Sequence, residues 1–214
     1  MVFNNDILYL HIGKTGGMST SRFLCKILKD PVYHVVPSDE LHIHFGSATN
    51  IEGIRHETLT EALEITETYG LQLADFKVVY ATIRHPYDLE LSLFNYLTQL
   101  HKKGRRVHSK IIKHLNEGFE SYVCNIQYHR NKVKIEDYFL IDGRLPDNLQ
   151  LVRFENLKDE LEEIDRLFGN GKRMSIPHLN KSKKQVQISD LIPSIKEEIY
   201  RKYQWLFDNG YYDR

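Results

Sequence analysis

Short, wholly apolar runs alternate along this chain with longer stretches in which apolar residues recur every three or four positions. "DILYLHI" (residues 6–12) is the first such run, bounded by polar residues and glycine, and predicts a strand buried on both faces. Beyond the following turn, "STSRFLCKILKD" sets Phe23, Leu24, Ile27 and Leu28 on one helical face, with Pro31 just past the end. "VYHVV" (32–36) and "LHIHF" (41–45) predict further short strands, and "TLTEALEITETYG" predicts a helix opened by a capping box from Thr58 to Glu61 and closed at Gly70. "FKVVYATIR" (76–84), β-branched and aromatic, predicts a second strong strand, and Pro86 then suits the first turn of a helix through "YDLELSLFNYLTQL". More helix is expected over parts of 109–130. "LQLVRFENL" predicts a third strand, "KDELEEIDRLFG" an acidic amphipathic helix, and "PSIKEEIYRKYQWLF" a last helix stopping at Asn209-Gly210. In that last helix Ile195, Ile199, Tyr203 and Leu206 recur at helical spacing and predict packing, not ligand contact.

Strands alternating with helices imply an α/β fold with a parallel sheet and right-handed crossovers. A length of 214 residues suits one domain, and 41% hydrophobic with 27% charged residues is ordinary for a globular protein. Lys+Arg and Asp+Glu both number 29, so no overall field favours nucleic acid or an anionic membrane, and any anion site must be local. The two cysteines, Cys25 and Cys124, do not make a disulfide framework, and Cys25 falls in an apolar helical pattern that points to packing. No apolar run approaches 18 residues, and "MVFNNDILYLHIG" lacks the basic start of a signal peptide, so a soluble, cytoplasmic protein without a membrane span is expected. Eleven histidines stand without the Cys/His spacing of a zinc module.

Strand, glycine turn and helix is the local order that aims backbone N–H groups at an anion. Gly13-Lys14-Thr15 matches the end of the nucleotide loop G-x-x-x-x-G-K-[ST], but Leu8 occupies the place of that motif's first glycine, and Gly16 and Gly17 follow the lysine instead. The loop is therefore expected to hold an anion other than a triphosphate. Its amides and hydroxyls, from Lys14, Thr15, Gly16, Gly17, Met18 and Ser19, are the candidate ligands, the glycines giving close approach or positive φ.

Four stretches taken in order, "HIGKTGGMSTSRFL", "TIRHPYDLELSLFNY", "PHLNKS" and "IYRKYQWLFDNGYY", resemble the landmarks of the sulfotransferases that use 3′-phosphoadenosine-5′-phosphosulfate (PAPS). The carbohydrate branch, with the uronyl and heparan sulfate 2-O-sulfotransferases, is the nearest in resemblance, and the landmarks span residues 7 to 212. The resemblance implies a three-layer, P-loop-like α/β fold with a central parallel sheet of about four to five strands flanked by helices, one domain over residues 1–214. It implies sulfuryl transfer from PAPS to a hydroxyl of a carbohydrate, with PAP (3′-phosphoadenosine-5′-phosphate) as product and no metal. Residues 14–19 would then surround the 5′-phosphate, Lys14 would neutralise the leaving oxygen, and Arg84 with Ser92 would take the 3′-phosphate. Ser182 and Lys183 would close over that phosphate, while Asn180 and His178 shape the loop. Two positions depart from the family's pattern: His85 follows Arg84 where an aspartate is common, and Met18 stands where a hydroxyl residue is usual.

A hydroxyl acceptor needs a general base. His42 and His44 would point the same way on a strand, a comparable His-x-His pair occurs in the uronyl 2-O-sulfotransferases, and imidazole titrates in the right range. His42 is the first candidate, His44 a supporting or substrate contact, and Glu40 or Glu52 the alternatives; His-x-His is also a metal-ligand spacing. Lys102, Lys103, Arg105, Arg106 and Lys110 form a basic run that is either a solvated loop or a dock for an acidic acceptor. The competing functions are a P-loop nucleotide kinase and a non-catalytic module that binds PAPS or PAP.

Overall fold

The computed structural model describes residues 1–126, 133–171, 188 and 191–214. Its elements run β1 (Val2–Phe3), β2 (Ile7–Leu10), α1 (Gly17–Ile27), β3 (Tyr33–Val36), β4 (Thr49–Glu52), α2 (Leu59–Glu67), β5 (Val78–Ile83) and α3 (Pro86–Lys102). They continue with α4 (Ser109–Glu117), α5 (Phe119–Asn125), β6 (Leu149–Arg153), α6 (Leu157–Phe168), α7 (Pro193–Lys202) and α8 (Gln204–Asp208). The chain divides into two compact units, Met1–Ile83 with Asp137–Leu179, and Arg84–Glu136 with Asn180–Arg214.

The first unit holds the sheet, in the order β4-β3-β1-β2-β5-β6. The expected α/β architecture is present, with six strands in place of four or five and a mixed in place of a purely parallel sheet. β2, β5 and β6 pair in parallel, as do β3 and β4, but β1 runs antiparallel to both β2 and β3. The cause is a tight turn at Asn4. Its side-chain oxygen accepts from the amides of Asp6 (3.0 Å) and Ile7 (2.9 Å), and such an Asx turn reverses the chain too quickly for a parallel crossover. Every residue of β2 and β5 is buried, as their unbroken apolar runs require.

One sheet face carries Ile7, Tyr9, Val78, Tyr80 and Val152, packed with Phe23, Leu24 and Ile27 of α1 and Leu161 and Ile164 of α6 in one cluster. Cys25 belongs to that core, where burial pushes its thiol up to about 12; Cys124 is exposed. Because β2 and β5 are parallel with Leu10 opposite Ala81, both end at the same sheet edge, the side on which open α/β sheets place their ligands.

The second unit is helical among its described residues. Phe94 meets Phe119 edge-on and Tyr122 at a tilt, with ring centroids 5.3 and 5.5 Å away. Ile195, Ile199, Tyr203 and Leu206 are buried, and α7 lies against α3 and α5. Buried Glu90 of α3 accepts from Tyr203 (2.9 Å) and pairs with Lys202 (3.4 Å), which also donates to the Ile126 carbonyl at 2.7 Å. Among the described residues no helix is long and apolar enough to cross a membrane.

Candidate functional site

The turn between β2 and α1 is built from two left-handed residues, Lys14 with φ 64° and Gly16 with φ 84°. A lysine there occupies a sparsely populated region, the kind of strain found where a backbone is shaped for a ligand. Thr15 closes the turn from inside: it is fully buried, and its hydroxyl donates to the Ile12 carbonyl at 2.8 Å. That proton is committed, so what Thr15 can offer an anion is its amide. The Gly16 carbonyl accepts from the amides of Ser19 (3.0 Å) and Thr20 (3.1 Å), which starts α1. The amides of Gly17 and Met18, in its first turn, have no intrahelical acceptor by construction, and no acidic residue stands in that turn to occupy the positive end of the helix dipole.

The two glycines serve different needs. Gly16 supplies the left-handed φ, and a Cβ there would also lie 2.9 Å from Leu157 Cδ2 and Phe154 Cε2. At Gly17 the need is space, since a Cβ would fall 1.8 Å from His11 Cδ2 and 2.1 Å from His11 Nε2. His11 is buried and meets His56 edge-on, with centroids 4.7 Å apart at 83°. His56 Nδ1 donates to the His11 carbonyl at 2.7 Å; a carbonyl only accepts, which fixes the His56 tautomer. Burial lowers both imidazoles, His11 well below 6.5, so the pair behind the loop is neutral near pH 7. Neither histidine is recognisable as part of the site from sequence. The one available signal is a polar His11 inside the apolar run "LYLHI".

His42 and His44 lie in the first unit, but not on a strand. A tight turn at Ser38–Glu40 leads into irregular chain, and both imidazoles are exposed, so alternation along a strand does not orient them. The reason is Asn50, whose side-chain amide donates to the carbonyls of Leu41 (2.8 Å) and Ile43 (2.9 Å), groups that a strand would give to a neighbour. The strand in this region is instead β4, four residues beyond Phe45. Phe45 anchors the loop: it packs on the core, with the Arg22 guanidinium 4.6 Å above its ring. Glu40 pairs with Arg55, and Glu52 ends β4. Among the described residues no group of three His, Cys, Asp or Glu side chains could hold a metal ion.

In the second unit Arg84 is the residue after β5 and is half-buried, and Ser92 is buried two turns into α3. His85, the departure from the family's pattern, caps α3: its Nδ1 accepts from the Tyr87 amide at 3.4 Å. Its ring packs against Tyr87 and Tyr212 at 5.1 and 5.0 Å. Ser182, Lys183, Asn180 and His178 lie outside the described residues. Lys102, Lys103, Arg105, Arg106 and Lys110 are all exposed.

No family model matches the chain, and no curated protein does. Among solved structures, the chain is similar over 99% of its length to 98% of a sulfotransferase from Alicyclobacillus acidocaldarius, at 12% identity and a TM-score of 0.45.

Proposed function

We propose that the chain is a single sulfotransferase domain that moves the sulfuryl group of PAPS to a hydroxyl of a carbohydrate. The observation that carries this is the turn of residues 11–17, in which one glycine is required by φ and the other by the His11 ring. That cradle suits a 5′-phosphosulfate set against backbone amides. It suits a triphosphate loop poorly, because the first glycine of such a loop would fall at Leu8, fully buried within β2 opposite Val79.

PAPS, when bound, supplies an activated sulfuryl group and PAP as leaving group. The amides of residues 15–18 hold the 5′-phosphate, and Lys14 neutralises charge that builds on the oxygen between phosphorus and sulfur as the S–O bond breaks. Arg84 forks onto the 3′-phosphate with Ser92 beside it, and Ser182 and Lys183 complete that site. His42, with His44 beside it, takes the proton of the attacking hydroxyl as the new O–S bond forms. Both are exposed, which suits a base that meets a large acceptor. The scheme needs no metal.

The test is transfer of labelled sulfate from PAPS to a panel of glycans, lipids and phenols, with PAP binding measured by calorimetry alongside. Transfer to a glycan is expected. PAP binding without transfer to any acceptor would make the chain a non-catalytic module, and magnesium-dependent ATP binding without PAP binding would favour a kinase.

A further inference from the structure

We infer that the connection between α3 and α4 is a docking surface for an acidic polysaccharide. The observation is local. Lys102, Lys103, Arg105, Arg106 and Lys110 are exposed, and none of them enters an ion pair among the described residues. Several exposed cations elsewhere are paired, as in Lys77 with Asp6 (2.8 Å), Lys158 with Glu162 (3.6 Å), Arg201 with Glu198 (3.2 Å) and Arg166 with Glu163, whereas those left unpaired, such as Lys29 and Arg144, do not lie in a run of this density. A chain with 29 positive and 29 negative residues thus leaves one stretch of nine positions with five cations and no acid.

Fold stability explains only part of this. Lys102, in the last turn of α3, favours the negative end of that helix dipole. Arg105, Arg106 and Lys110 have no such reason. The end of α3 is a Schellman closure, with Gly104 at φ 64° donating to His101 O (3.0 Å) and Arg105 donating to Leu100 O (3.0 Å). The residue in Arg105's place normally makes an apolar contact back onto the helix. Here it is an exposed arginine. Lys110 lies in the first turn of α4, at the positive end of that dipole, where a carboxylate would stabilise and a lysine does not. The Lys110 amide donates to His108 Nδ1 at 3.2 Å, so both ends of the connection are closed by defined bonds and the cations are carried on a pre-shaped backbone.

The chemistry of the surface narrows the partner. A nucleic-acid site is usually carried by a basic domain, and this chain is balanced. An anionic membrane calls for large apolar residues that insert, and none of the exposed large hydrophobic residues lies between 102 and 110. Tyr96, 42% exposed and two helical turns before Lys103 on α3, offers a ring to the apolar face of a sugar. The choice of a polysaccharide rests on the proposed function; the polyanion surface itself does not.

The test uses the full chain and two probes, a chondroitin sulfate decasaccharide and a hyaluronan decasaccharide. At low salt the triple variant R105Q/R106Q/K110Q should bind the sulfated probe at least about tenfold more weakly than wild type and with a flatter salt dependence. PAP binding and the circular dichroism spectrum should be unchanged. Unaltered decasaccharide binding by the variant would overturn the proposal. So would equal or tighter wild-type binding to a single-stranded oligonucleotide of matched charge, or to phosphatidylserine vesicles. Decasaccharide binding that depends on the three residues in a chain that fails to bind PAP would uphold the surface and sink the sulfotransferase proposal; sulfate transfer from PAPS with no decasaccharide binding would do the reverse.

Discussion

Gly17→Ala is the sharpest perturbation the loop allows, because it adds one methyl where a ring already stands. A Cβ at 1.8 Å from His11 Cδ2 is about 2 Å inside the separation at which carbon atoms make favourable contact. The ring cannot swing away at no cost, since it is held edge-on to His56 at 4.7 Å and the backbone behind it is tied to His56 Nδ1. Overpacking of a close-fitted site costs about 1–3 kcal/mol, and an overlap this deep belongs at the upper end, about 3 kcal/mol. His11→Ala removes a buried ring and leaves a cavity, worth about 2–4 kcal/mol by comparison with other large-to-small core changes. If the clash is the whole reason for Gly17, the second methyl should cost little once the ring is gone, and the double variant should lie within about 1 kcal/mol of His11→Ala. Urea unfolding of the four proteins, with equal m-values as the check on two-state behaviour, measures this directly. Additive losses, to within about 0.5 kcal/mol, would show that Gly17 is needed for some reason other than the His11 ring.

Four further outcomes are expected. Lys14→Ala should lower kcat by about 10²–10³ while changing PAP affinity far less, and near-normal turnover would remove Lys14 from the leaving-group role. Arg84→Ala should weaken PAP by about 2 kcal/mol, the lower end for a charged contact because the side chain is only half-buried, and leave 5′-AMP unaffected; equal losses for both would mark a structural arginine. Of His42→Ala and His44→Ala, the one that removes the base should lose about 10²–10⁴ in transfer, along with the fall in rate at acid pH, and keep PAP binding; if neither does, Glu40 or Glu52 is the base. Burial holds His34 down at about 4 from 6.5, so the unfolded chain takes up a proton that the fold refuses, and stability that is full above pH 6.5 should fall by about 3 kcal/mol towards pH 4. His34→Leu should flatten that part of the urea midpoint against pH, and an unchanged slope would refute the assignment.

The strands at the centre of the sheet were legible because burial on both faces leaves an unbroken apolar run, and "DILYLHI" and "FKVVYATI" contain the observed β2 and β5. Helix boundaries carried by capping chemistry were equally legible, as with the Thr58–Glu61 box that the structure forms from both sides. What escaped was decided by single polar side chains acting across the fold. β1 is two residues long and depends on the Asn4 turn, too short for any periodicity to register. "LHIHF" has the alternation of a strand, but Asn50, five residues beyond it, takes the carbonyls that a ladder would use. "TNIE" shows no apolar run because it is an edge strand whose first and last residues are exposed. The glycine pair was readable as a strand-to-helix turn, yet its division of labour was not, since the need at Gly17 arises from His11, six residues upstream.

That division of labour bears on how the turn would hold its anion. The imidazoles nearest the glycines are the ones that burial keeps neutral, so they add shape without adding charge. The attraction available within the turn then comes from Lys14, from amides presented by left-handed backbone, and from the unopposed positive end of α1. Amides and dipoles do not titrate, and lysine's ordinary range lies well above neutrality. In the proposed scheme a pH-dependent rate would therefore originate outside this turn, in the group that accepts the proton. The two histidines proposed for that role, His42 and His44, are on the protein surface. In the proposed scheme, holding the donor with fixed dipoles and taking up the proton with a solvent-exposed imidazole would keep the two halves of the transfer chemically separate. The buried pair, His11 and His56, would serve the first half through shape alone, with the His11 ring filling the space that Gly17 leaves open.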